Sequence, residues 1–242
     1  MPAPRYQPTP PPAAPERGVR ASTFKLLLDT AMQLIRTEGR IPSVAEVAVR
    51  SGVSRATAYR YFPSRSALVT AVTDASLGPV RQLAPDDRGG RERVEQLFRK
   101  TFRRFKEFEP QLRAAAQLAL EQWALERAGL LEEEPFRRGH RIRILAHAIE
   151  PLAPELPAPV RDRLHKALSV VYGIEPLVIL KDIWGLEDRE VERTALWMAD
   201  ALIDAALRDA AAAAAAVAAL PPPAATATRR NGGGRSKARV GA

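Results

Sequence analysis

SGVSRATAYRYF, residues 51–62, decides how the rest of the chain is read. Gly52 supplies the positive φ that a sharp turn needs. Val53 is an apolar plug for the corner, and Ser54 caps a helix running from Arg55 to Phe62. On a 3.6-residue helix Ala58 and Phe62 share one face, Arg55 and Tyr59 a second, and Thr57 and Tyr61 a third. One side is built for packing. The others display a guanidinium, two phenols and a hydroxyl. The whole chain has four tyrosines, and two of them are placed here with Arg60 between them. Phenol and hydroxyl groups donate to phosphate oxygens, which fixes register on a duplex. Arg55 matches guanine O6 and N7 with two hydrogen bonds, while Ala56 and the Thr57 methyl suit a thymine methyl. Arg60 and Arg65 add charge contacts that salt weakens.

The flanking residues complete a motif. Upstream, PSVAEVAVRSG (residues 42–52) places Ser43 three residues before Glu46, an S-x-x-E capping box that opens a short helix over about 43–50. Before it, Phe24, Leu27, Leu28, Ala31, Leu34 and Ile35 recur at helical spacing over about 22–38, and Gly39 ends the run. Downstream, Pro63 breaks the second short helix. Ser64 caps a fourth, with Leu68, Val69 and Val72 on its apolar face. A short helix, a Gly-centred turn and a second short helix make a helix-turn-helix, whose second helix lies in the DNA major groove. Each residue also has a plainer reading. Ala58 and Phe62 are core, Ser54 is a cap, Tyr59 is half-buried packing, and Arg60 is a solvated charge.

The stretch SVAEVAVRSGVSRATAYRYFPSRSALVTAV (residues 43–72) resembles the signature of TetR-family transcriptional regulators. The resemblance covers about residues 22–76. It implies an all-α chain: an N-terminal three-helix helix-turn-helix domain, then a larger helical domain that binds a small ligand and dimerises. By that similarity Arg55, Ala56, Thr57 and Tyr59 fall where the family contacts bases. Ser43, Tyr61 and Arg65 fall where it contacts phosphates. Two positions depart from the pattern. Val44 lacks the hydroxyl many members carry there, and Ala58 is smaller than the usual Leu or Ile.

Charge agrees with a polyanionic partner. The net charge is +9. Residues 1–20 carry three arginines against one glutamate, and residues 221–242 carry four arginines and a lysine with no acid. Residues 21–78 hold seven basic and four acidic side chains, and 79–220 are nearly balanced with 22 and 23. A basic first module with basic tails suits nucleic acid, although the tails alone also read as solubilising. The absence of cysteine excludes disulfides and thiolate metal sites and fits a cytoplasmic protein. No apolar run marks a signal segment or a membrane span. His140, His147 and His165 have no metal-ligand spacing, and no catalytic motif is present, so neither an enzyme nor a cofactor is expected.

The organisation expected is a disordered Pro-rich arm (1–20), a helix-turn-helix domain (21–68), a helical ligand-binding and dimerisation domain (69–218) and a disordered basic tail (219–242). Longer helices fall near 89–108, 110–129, 137–150, 158–184 and 187–218. Phe98, Phe102, Phe105 and Phe108 are a core stripe or the wall of a pocket. Glu175 and Asp182 lie two turns apart and need cationic partners where buried. Val191, Ala195, Met198, Leu202 and Ala205, with Leu164, Leu168, Val171 and Val178, either join two subunits in a four-helix bundle or pack within one. Phe105, Trp123, His147, Tyr172 and Glu175 are candidate ligand contacts or ordinary core and surface residues. The function expected is a ligand-responsive repressor that binds a palindromic operator as a homodimer. A helical interaction adaptor that no longer binds DNA and a transcriptional activator are the alternatives.

Overall fold

A computed structural model describes residues 9–83 and 87–218. The first eight residues of the Pro-rich arm, residues 84–86 and the basic tail from 219 onward lie outside the described residues. Every regular element among the described residues is helical.

Helix α1 (Gly18–Glu38) starts four residues before the expected position near 22 and ends on Gly39, whose φ of 66° lets its N–H turn back to the Ile35 carbonyl at 3.1 Å. The arm is tethered at Thr9. The Thr9 N–H donates to the Arg137 carbonyl at 3.0 Å, and the Arg137 N–H donates to Thr9 Oγ1 at 2.8 Å. Helices α2 (Val44–Arg50), α3 (Arg55–Tyr61) and α4 (Arg65–Leu77) follow where the caps place them. Their inner faces meet α1 in one core, with Leu27, Ile35, Val47, Ala58, Phe62 and Leu68 buried.

Helix α5 (Gly90–Ala128) spans the break expected at Glu109–Pro110 and bends there instead. Phe108 leaves helical geometry (φ −121°, ψ 26°), because Pro110 has no N–H to continue the ladder. The segment expected as one helix over 158–184 is two, α7 (Ala158–Val171) and α8 (Ile174–Asp182). Gly173 separates them at φ +136°, a conformation that a Cβ opposes. Helices α6 (His140–Ile149) and α9 (Asp188–Ala218) complete a second core around Phe98, Phe102, Leu145, Leu168, Leu177 and Ile203.

Val191, Ala195, Leu164 and Leu168 are buried within the subunit on the inner faces of α7 and α9, whereas Val171, Val178, Met198, Leu202 and Ala205 are partly exposed. The boundary expected at 68/69 falls inside α4, which both cores share. Leu68 and Val72 belong to the N-terminal core, whereas Val69 packs with Ala115, Leu118 and Phe136.

Candidate functional site

The exposed side of α3 is assembled by its caps. Ser43 Oγ accepts the Glu46 N–H at 3.2 Å, and Glu46 accepts the Ser43 N–H at 2.7 Å, as the S-x-x-E pattern predicts. A hydrogen bond from Arg40, reinforced by Ser43, pulls the Glu46 carboxyl down to about 2, so the cap stays charged at any working pH. Across the turn, Ser54 Oγ accepts the Thr57 N–H at 3.2 Å and donates its own hydrogen to Thr57 Oγ1 at 2.9 Å. A serine hydroxyl has one proton. Ser54 is thereby spent on the cap, and Thr57 keeps its O–H for an outward acceptor.

Ala58 and Phe62 are fully buried beneath α3, and Arg55, Ala56, Tyr59 and Arg60 face solvent, Tyr59 at 45% exposure. Tyr61 is more enclosed than its spacing suggests. Its ring meets Phe24 edge-on at 6.1 Å, and Arg60 lies 5.8 Å over it. Arg65 turns away from α3 altogether. Its guanidinium donates to Glu121 at 2.7 Å, and its backbone N–H donates to Glu133 at 3.0 Å. The residue that sequence spacing offers to phosphate is, in this conformation, a strut to the second half of the chain.

That strut belongs to a buried junction. Gln122 on α5, 2% exposed, donates through Nε2 to Ser66 Oγ and to Glu133, each at 2.8 Å. Its Oε1 accepts the Phe136 N–H at 2.6 Å. The start of α4, three residues beyond the recognition helix, is thus held to the loop that leads into α6.

The same loop walls a cavity of about 80 Å³. Leu77, Phe105, Leu112 and Ile144 form its apolar side, and Tyr172, His140, Arg138 and Arg141 its polar side. Thr101 gives its hydroxyl proton to the Leu97 carbonyl at 2.7 Å, so the Tyr172 phenol donates to Thr101 at 2.8 Å. Burial pushes that phenol up to about 12. Glu175 accepts from Arg138 and, at 2.8 Å, from Arg141. Burial alone would raise its carboxyl, but the two guanidiniums outweigh it and hold it below the ordinary range.

Of the five pocket candidates, Phe105 and Tyr172 line the cavity and Glu175 pairs with two of its wall residues. Trp123 does not: it stands 61% exposed on α5. His147 faces a different groove, beside Arg93 and Glu150. Residues absent from the expectation are Thr101, Arg138, His140 and Arg141. One signal pointed to three of them. RRGHRIR (137–143) sits in a stretch with no acid between Glu134 and Glu150, at the start of a helix that buries one face.

His140 makes a testable feature. Desolvation, then the Arg81 and Arg143 charges, lower its pKa to about 4, so it is neutral in the folded protein near neutrality. Arg81 Nη2 lies 2.8 Å from its Nδ1. An unfolded histidine titrates near 6.5. Between those values the unfolded chain binds the extra proton, so this contribution is complete above about pH 6.5 and is lost as pH falls toward 4. The melting temperature of His140→Gln is expected to fall less than that of the parent between pH 7 and 5. Parallel curves in a pH series of thermal melts would remove His140 from the account.

No helix among the described residues is long and apolar enough to cross a membrane, and no group of three or more His, Cys, Asp or Glu among them is placed to hold a metal ion. Neither a curated protein nor a solved structure gives a match to the chain. Residues 27–72, from the middle of α1 through most of α4, match the family described as bacterial regulatory proteins, tetR family. By that match the N-terminal domain belongs to the tetR family, whose members are helix-turn-helix DNA-binding regulators of transcription.

Proposed function

We propose that the protein is a sequence-specific transcription regulator, a ligand-responsive repressor that meets a palindromic operator as a homodimer. The carrying observation is the two-sidedness of α3: Ala58 and Phe62 are sealed inside, while Arg55, Ala56, Tyr59 and Arg60 are free to enter a groove. Ser43, with Tyr61 at the edge, is assigned to phosphates, and Arg55, Ala56, Thr57 and Tyr59 to base edges. Arg65 reaches a phosphate only by leaving Glu121. That exchange offers a way to couple DNA binding to the state of the second domain.

The route from the cavity to α3 is short. A ligand that moves Phe136 or Arg138 acts on Gln122, and Gln122 holds Ser66 and Glu133. A tilt of α4 changes the separation of two recognition helices, and a ligand that favours the non-DNA conformer lowers operator affinity by that preference. A second subunit is supported by large apolar side chains left in solvent on α7, in the turn after α8 and on α9: Val170, Ile183, Trp184 and Trp197. A nuclease footprint on DNA flanking the coding region should show two inverted half-sites about 34–36 Å apart, or a related spacing. Protection of a lone half-site, or none at all, would sink the proposal.

A further inference from the structure

The cavity carries information about what fits it. Two guanidiniums, Arg138 and Arg141, face one carboxylate, Glu175. Arg81 nearby is matched by Asp74, and Arg143 acts on His140 as one more positive charge. The polar wall is therefore short of negative charge, and its guanidiniums, 30% and 23% exposed, are only partly screened by water. The Tyr172 phenol, its proton already given to Thr101, has lone pairs but no donor to offer. The positive wall residues are thus the groups that recognise a charged ligand. Apart from Thr73 and Thr101 the remainder of the wall is apolar, and the cavity volume of about 80 Å³ is little more than half the roughly 150 Å³ that accepts a benzene ring. The apolar part of a guest is limited to a few carbons.

We propose that this cavity binds a short-chain aliphatic monocarboxylate, its carboxylate on Arg138 and Arg141 and its tail against Leu77, Phe105 and Ile144. The assignment rests on reading the helical domain as the ligand-responsive part. The incoming carboxylate shares or takes the guanidinium contacts of Glu175. Glu175 stands two residues after Gly173 and directly before Pro176, where the chain has no slack: a Cβ on Gly173 would lie 2.7 Å from the Glu175 carboxylate. Displacement of that carboxylate is felt at the junction of α7 and α8, and through Arg138 in the loop that Gln122 grips.

The test uses the full chain without DNA, titrated calorimetrically with sodium butyrate, butyramide and butylamine at matched ionic strength, and with octanoate for length. Butyrate should bind saturably, at least tenfold tighter than the other two four-carbon probes, and octanoate should bind no tighter than butyrate. Arg138→Gln should reduce butyrate to the level of butyramide. Ala115→Leu, which fills the cavity from its apolar wall, should abolish butyrate binding while leaving the circular dichroism spectrum unchanged, so the result stands even where Arg138→Gln fails to fold. Equal binding of butyramide overturns the charge assignment, tighter octanoate overturns the size limit, and no butyrate binding, or binding that survives Ala115→Leu, overturns the site. Because DNA is absent, none of these outcomes depends on the footprint.

Discussion

Arg55→Ala with Tyr59→Ala is expected to lower the preference for operator over random DNA by roughly two orders of magnitude, about 2.7 kcal/mol. A bidentate arginine–guanine pair is worth about 1–3 kcal/mol of discrimination, and a hydrogen bond from a phenol adds about 1 kcal/mol. Both side chains leave α3 on the solvent side, and neither belongs to the core that Ala58 and Phe62 complete. Exposed substitutions of this kind change stability by about 0.5 kcal/mol or less, so the thermal midpoint should hardly move. Fluorescence anisotropy with specific and scrambled duplexes gives the ratio directly. An unchanged ratio with an intact fold would mean that α3 does not read sequence.

The second large effect is expected at Gln122. Gln122→Leu keeps much of the volume but removes three hydrogen bonds to the junction. The Phe136 N–H is then left buried without its acceptor, which costs about 1–3 kcal/mol alone. A total near 3 kcal/mol corresponds to a melting temperature lower by about 6–12 °C in a domain of this size. Core packing around Ala58 and Phe62 is untouched, so the protein should retain operator binding at low temperature and lose any response to ligand. Thermal denaturation with and without ligand separates the two effects. A drop of less than about 2 °C would show that the junction does not hold the halves together.

The N-terminal third was readable because its signals are local. Caps at Ser43, Ser54 and Ser64 and the turn at Gly52 act within four residues, and all appear where the pattern puts them. The second half depends on contacts between residues far apart in the chain, which periodicity does not encode. Leu164, Leu168, Val191 and Ala195 have the same apolar spacing whether they meet a neighbouring helix or another subunit, and the helices of this subunit claim them. Gly173 splits a segment whose apolar pattern runs straight through it. Trp123 and His147 drew attention by residue type, but cavity membership is decided by which face of a helix meets which neighbour. Arg65 illustrates the same limit: spacing places it near the recognition helix, while Glu121, 56 residues away, determines where its charge points.

The bend at Phe108 has one more implication. With no proline N–H to set it, the angle between the two arms of α5 is held from outside. Lys181 reaches Glu109 at 2.6 Å, and Arg113 clasps Asp182 at 2.6 and 2.7 Å while also touching Glu109 at 2.8 Å. Both arms line the cavity, and the second also carries Gln111 and Gln122 to α1 and α4. The elbow is therefore clasped by partly exposed charges, which dissolved ions loosen, and the ionic strength of the surrounding solution becomes a setting on the stiffness of the whole transmission.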